Sequence, residues 1–430
     1  MAQKMKDSGI EWIGEIPEGW RTINPKALFT QRKDKAQKGE RQLTSSQQYG
    51  ILYQDDYMEL TGSKVVTVEK DFDILKHVEA GDFVISMRSF QGGLEYSTKS
   101  GAISSAYVML VPNLELVYPR FYRWLLKSSV YIDALQRTTN MVRDGQAMRY
   151  SNFAQVRLFT LPLDEQKSRA DFLDLECSSI DKILFKTRSS IEEYKKLKQA
   201  VITQAVTKGV RGEREIKESK LPWASKIPKA WNICAIRHIM FECKERTKDG
   251  HEEQLSVTQQ FGIIKSSDAS IANPSLSLDD WRIVAIGDIV FNKYKAHSGV
   301  FFVSPFSGIV TFNYSVYRCF PNCYAKYFEY QYKTHGCISE FRTRMHGVGN
   351  SISPLYTKDL MKIKVVCPPL DEQKEIANYL DAKCAEIDKL IAKKEQLVKE
   401  LESYKKSLIY EVVTGKREIF TDITRKFPNI

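Results

Sequence analysis

The chain has 430 residues, of which 43% are hydrophobic and 27% charged, so it holds enough apolar material for about two to four packed units and is not a disordered polymer. No apolar stretch reaches the ~20 residues of a membrane span, and the opening MAQKMKDSGIEW lacks a signal-peptide core, so a cytoplasmic protein is expected. Eight scattered cysteines lack framework spacing, which fits a reducing compartment. The net charge of +11 falls almost wholly in residues 1–160 and 216–367, while 161–215 and 368–430 are close to balanced. Basic globular segments suit a polyanion; balanced ones suit protein contacts.

In chain order, EWIGEIPEGWR (residues 11–21) comes first, followed by QLTSSQQYGI (42–51). AGDFVIS (80–86) follows a turn glycine and reads as a buried strand, as does AYVMLV (106–111). Between them MRSFQGGLEYS (87–97) reads as a loop. Gly92 and Gly93 let its backbone approach another surface, and Arg88, Ser89 and Gln91 are able to address base edges. YPRFYRWLLKSSVYIDAL (118–135) predicts a helix with an aromatic face, and MVRDGQAMRYS (141–151) a second loop rich in donors. An ordinary solvated turn is the competing reading for each loop.

Residues 161–209, LPLDEQKSRADFLDLECSSIDKILFKTRSSIEEYKKLKQAVITQAVTKG, predict a long helix. After it the chain repeats. PWASKIPKAWN (222–232) matches the first tryptophan segment through Trp12/Trp223, Pro17/Pro228 and Trp20/Trp231. QLSVTQQFGI (254–263), IGDIVFN (286–292) and SGIVTFNY (307–314) match QLTSSQQYGI, AGDFVIS and SGAISSAY in the same order. The counterpart loops are NKYKAHSGV (292–300) and RMHGVGNSISP (344–354), and AKYFEYQYKTHGCISEF (325–341) predicts the matching helix.

The second long helix, within 368–416, repeats the first at an offset of 207 residues without a gap: Pro162 meets Pro369, both DEQK motifs coincide, and Thr207 meets Thr414. Its apolar positions Ile387, Leu390, Leu397, Leu401, Tyr404 and Leu408 follow a three-then-four spacing interrupted only by Lys394, which predicts one adhesive seam. A helix of this length needs a partner in water. Two readings are open. The helices pair as an intramolecular coiled coil, or each lies on its own globular segment, as the polar Thr187, Ser190 and Lys394 would allow.

Catalytic signatures are missing. There is no GxxxxGK phosphate loop, no NPPY-like methyl-transfer tetrapeptide and no glycine-rich cofactor turn; HGVGN at 346–350 is too short. The DEQ triplets repeat at both helix starts, which favours capping and docking over acid–base chemistry. Cys319, Cys323, His335 and Cys337 lack a second well-spaced ligand pair and read as buried thiols, so no metal is expected. The fold class expected is α+β: two pseudo-symmetric mixed α/β domains separated by two long helices.

These motifs in this order are similar to those of type I restriction–modification specificity subunits. The features that carry the resemblance are the paired P-L-D-E-Q helix starts, the VTKG and VVTGK helix ends, MRSFQGG with GAISSAYV, and G-E-I-P-E-G-W with its weaker copy K-I-P-K-A-W. The resemblance implies target recognition domains at 1–160 and 216–367, with helical regions at 161–215 and 368–430. Each domain would read half of a split double-stranded DNA target. The two helices would form an intramolecular antiparallel coiled coil that sets the gap between the halves and docks two modification subunits, which bring S-adenosylmethionine and methylate adenine. Restriction subunits, with ATP and Mg, would join them in a bacterial or archaeal cytoplasm. The chain itself would carry no catalytic group and no cofactor. The alternative class is a coiled-coil scaffold that binds nucleic acid without regard to sequence.

By the same analogy the DNA-binding candidates in the first half are Gln47, Gln48, Tyr49, Arg88, Ser89, Gln91, Arg143 and Arg149. In the second half they are Gln259, Gln260, Asn292, Lys293, Lys295, Arg342, Arg344 and Asn350. YKAHSG replaces SFQGG there, so the loop geometry is expected to differ. Tyr107 and Tyr314 occupy matching strand positions and are read as core.

Overall fold

The structure is a computed structural model that describes residues 4–68, 72–86, 94–138, 149–259, 261–268, 278, 280–345 and 354–419. It divides into two compact units, Met1–Thr187 with Gln396–Ile430, and Arg188–Glu395.

The first unit is built on a four-stranded antiparallel sheet in the order Phe29–Arg32, Tyr107–Pro112, Phe83–Ser86, Leu94–Tyr96. Successive side chains of a strand face opposite ways. Phe83, Ile85, Val108 and Leu110 therefore enter the larger core with Phe29, while Val84 and Met109 join a smaller cluster with Leu43, Ile51, Val78 and Ile103. Burial on both faces explains why these strands read as continuous apolar runs rather than alternating ones.

The second unit repeats this order with Met240–Cys243, Tyr314–Cys319, Ile289–Asn292 and Phe301–Val303. Ile289 and Phe291 enter its large core, and Val290 and Val316 its satellite cluster. Two-stranded pieces recur as well: Leu43–Ser46 with Gly50–Tyr53 corresponds to Leu255–Thr258 with Gly262–Lys265. The strand order, which the sequence does not reveal, is thus the same in both units.

Each predicted aromatic helix is split in two. Pro119–Leu126 stops before Ser129–Arg137, and Ala325–Tyr332 before His335–Arg344. The cause is a hydroxyl at the break. Ser128 Oγ donates to the Leu125 carbonyl at 2.7 Å, and Thr334 Oγ1 donates to the Gln331 carbonyl at 2.7 Å while accepting the Cys337 N–H. A short hydroxyl side chain that takes over backbone bonds ends one helix and starts the next.

The long helices run Leu163–Lys208 and Leu370–Val413. Inside the first unit Leu173, Cys177 and Ile180 pack in one core with Leu408, Val412 and Val413, and Lys405 pairs with Asp181 at 2.6 Å. Inside the second, Ile202, Ala205 and Val206 pack with Ile376, Ala377 and Leu380, and Lys198 pairs with Asp388 at 2.6 Å. The start of each helix meets the end of the other, so the pair is antiparallel. The seam is not buried throughout. Ile387 and Leu408 are buried, whereas Leu390, Leu397 and Tyr404 remain 36%, 42% and 46% exposed. The burial that holds these helices is concentrated where they meet the globular cores.

One junction recurs in both units and accounts for the DEQ, tryptophan and glycine motifs together. Trp20 Nε1 donates to Glu165 at 3.1 Å, and Trp231 Nε1 donates to Glu372 at 2.9 Å. Gln166 and Gln373, both buried, accept the N–H groups of Tyr118 and Tyr324 at 2.7 Å. A guanidinium completes each site. Arg169 binds Glu165 and the Val412 carbonyl, and Arg214 binds Glu372 and the Lys208 carbonyl. The start of one long helix is thereby tied to the end of the other. Gly209 and Gly415 close these helix ends at φ 80° and 77°. A Cβ on Gly415 would lie 2.5 Å from Pro17, so glycine is required there both for its dihedral and for its size.

Candidate nucleic-acid interface

In the first unit Gln47, Gln48 and Tyr49 form the exposed turn between strands Leu43–Ser46 and Gly50–Tyr53. The Tyr49 ring meets Tyr57 edge-on at 6.4 Å, which leaves the ring 40% exposed. Arg149 is exposed immediately before the short helix Tyr150–Phe153, its N–H donating to Asn152 Oδ1 at 3.0 Å. Arg88, Ser89, Gln91 and Arg143 lie outside the described residues, as do Gln260 and Asn350 of the second half.

The second unit is described more fully. Gln259 is exposed at the matching hairpin turn. Thr258 Oγ1 fixes that turn by accepting the Phe261 N–H at 2.9 Å, and Phe261 stands 67% exposed beside it. Asn292 ends its strand as a cap: its Oδ1 accepts the N–H groups of Tyr294 at 3.0 Å and Lys295 at 3.1 Å, starting the 3-10 turn Lys293–Ser298. Lys293 is half-buried, and burial, helped by the charge of Arg282, lowers its pKa. Lys295 is exposed. Arg342 donates to the His297 carbonyl at 3.3 Å and so steadies the same turn from the helix His335–Arg344. Arg344 is half-buried on that helix.

A recess of about 550 Å³ opens where the hairpin, the 3-10 turn and the turn before Tyr314 meet. It gathers Asn292 and Lys295 of the nominated residues with Thr258, Tyr294, Asn313 and Tyr314. Tyr107 and Tyr314 are each half-buried against the satellite cluster of their unit. Among the described residues no three His, Cys, Asp or Glu side chains are grouped to hold a metal ion, and no helix is long and apolar enough to cross a membrane. What the described surface offers is donors, amides and aromatic rings on turns joined to the sheets, groups that are able to meet polar edges.

Comparison with known proteins points the same way. Residues 260–400 match the family model of the type I restriction modification DNA specificity domain. A putative type I restriction enzyme MjaX specificity subunit of Methanocaldococcus jannaschii is 23% identical over 445 residues, spanning 95% of this chain and 96% of that one. Over nearly its whole length the chain is thus similar to a type I restriction enzyme specificity subunit. Two solved structures share the fold. A chain from a type I R-M system studied for its complex assembly and conformational transition has a TM-score of 0.67 at 13% identity, covering 94% of this chain and 99% of that one. The HsdS subunit of Thermoanaerobacter tengcongensis has a TM-score of 0.52 at 14% identity, over 94% and 98%.

Three residues presented on turns beside the candidates, Phe261, Tyr294 and Asn313, are not among those the sequence singles out. Tyr294 lies between two nominated lysines, and Asn313 stands where the first half has Ala106. A polar residue on a turn that differs between two copies was the signal available for it.

Proposed function

We propose that this chain is the non-catalytic DNA-reading subunit of a type I restriction–modification complex. Residues 1–160 and 216–367 act as two recognition domains, each reading one half of a bipartite target. The long helices dock two modification subunits, which use S-adenosylmethionine to methylate adenine, and through them the restriction subunits, which depend on ATP and Mg. Phosphate contacts from lysine and arginine supply salt-dependent affinity, and side chains on the turns supply base discrimination.

The observation that most directly supports this reading is the strand-for-strand repeat of one sheet order in both units, with Ser104–Ala106 in one replaced by Thr311–Asn313 on the matching turn of the other. A scaffold indifferent to sequence has no need of one framework built twice with a turn that differs between the copies. The test is methylation mapping in a host that carries the chain with its modification subunit. The expected result is a split adenine-methylated motif, of which one half alone changes when residues 216–367 are replaced by those of a relative. An uninterrupted motif, or a change in both halves, would overturn the proposal.

A further inference from the structure

The recess of the second unit is assembled from three separate stretches of chain: the hairpin ending at Thr258, the 3-10 turn Lys293–Ser298, and the turn preceding Tyr314. Two kinds of polar group stand out on its wall, beside Ser256, whose hydroxyl bonds that of Ser266 at 2.8 Å. Thr258 and Asn292 are committed to the backbone, Thr258 through the Phe261 N–H and Asn292 through the N–H groups of Tyr294 and Lys295. Tyr294 is 48% exposed, Lys295 and Asn313 are exposed, and all three line the recess. The Asn292 cap and the non-helical dihedrals of Lys295 (φ −111°, ψ 23°) set where Tyr294 and Lys295 leave the backbone.

We infer that Asn313 and Lys295 are the base-reading side chains of this half, that Tyr294 supplies the apolar face beside them, and that Asn292 is a positioning residue rather than a contact. This inference rests on the DNA-reading function proposed above and names which groups perform it. An asparagine amide offers one donor and one acceptor, the pair matched by adenine N6 and N7 in the major groove. An ammonium offers donors only and suits guanine O6 and N7. The second half-site therefore contains an adenine read by Asn313 with a guanine close by, addressed by Lys295. The ring of Tyr294 packs on a sugar or a thymine methyl group. The first unit has Ala106 in place of Asn313, so its target is read by a different set.

The test uses the full chain with its modification subunit in a host, mapping methylated motifs for the parent, Asn313→Ala, Asn313→Asp and Lys295→Ala. Asn313→Ala installs the residue that the first unit already carries on its matching turn. The expected outcome is that Asn313→Ala relaxes one adenine of the second half-site by about tenfold or more, the range of a lost bidentate contact. Asn313→Asp, which has lost its donor, should move that position away from adenine, and Lys295→Ala should relax a neighbouring guanine. The first half-site should stay unchanged throughout. If the parent modifies a split motif and all three variants modify the identical motif, the assignment is overturned while the proposed function stands. A relaxed position in the first half-site overturns it equally. A parent that modifies an uninterrupted motif removes the function on which the assignment rests.

Discussion

The two units solve the same electrostatic problem with cations drawn from different places. Asp82 and Asp288 occupy matching positions after a turn glycine, each 2% exposed, and each is held by a bidentate guanidinium. In the first unit that group is Arg32, on the strand Phe29–Arg32; in the second it is Arg318, on the neighbouring strand Tyr314–Cys319. By register Arg32 corresponds to Cys243, opposite Val316, and Arg318 corresponds to Val111. The tryptophan junctions differ in the same way. Arg169 reaches Glu165 from one turn further along its own helix, while Arg214 reaches Glu372 from beyond the end of the other helix. A carboxylate removed wholly or partly from water needs a partner, and the duplicated halves preserve the carboxylate while its partner has moved.

The largest effect is expected where the cation is buried most deeply. Arg169 is 2% exposed and Glu165 is its carboxylate, so Glu165→Gln should lower stability by about 3 kcal/mol. Arg214 keeps 22% exposure, so Glu372→Gln should cost about half as much in thermal or denaturant unfolding. Equal costs would mean that exposure of the guanidinium does not govern the difference. Next, Arg318→Val leaves Asp288 without its fork and should cost about 1–2 kcal/mol, the loss being softened because Arg318 is 45% exposed. Adding Cys243→Arg, which recreates the first unit's arrangement, should recover most of that loss. No recovery would show that the two sites are not interchangeable.

The smallest effect separates the units by pH. His77 lies between Glu40 at 3.0 Å and Glu79 at 3.1 Å, where the second unit has Ile283. Burial pulls its pKa down, but the two carboxylates outweigh this and raise it. A raised histidine pKa gives stability that is fully present below the unfolded value of about 6.5 and is lost as pH rises through the folded value. Stability of the parent relative to His77→Ile should therefore fall as pH rises above about 6.5. Glu79 moves the other way. Its hydrogen bonds from Ser100 and His77 hold it down to about 2, so it stays charged across that window. A flat difference between parent and variant would exclude His77 as the source.

Much of the architecture is legible in the sequence because the duplication prints each element twice. The paired helices, the buried GDFVIS and GDIVFN strands and the docking role of DEQ all follow from matched residue types at matched spacing. Strand order is not legible, since backbone pairing between distant segments leaves no local periodicity. Nor is the migration of Arg32 to Arg318, which is visible only once neighbouring strands are in register. The helix breaks at Ser128 and Thr334 were missed because a hydroxyl that ends a helix is indistinguishable, by type alone, from one on its surface. At the candidate interface the sequence does not show which side chains the backbone already engages. Asn292 looks like a contact in sequence, and its carbonyl oxygen proves to be occupied by the backbone.

The composition of the two units has a consequence for how the polypeptide leaves the ribosome. The second unit, Arg188–Glu395, is contiguous, whereas the first needs Gln396–Ile430 to complete it. Translation proceeds at about 5–20 residues per second, and domains fold as their residues emerge. The half encoded first must therefore wait, with Leu173, Cys177 and Ile180 uncovered, until Leu408, Val412 and Val413 arrive to cap them. A premature stop after residue 395 would spare the later half and leave the earlier one open.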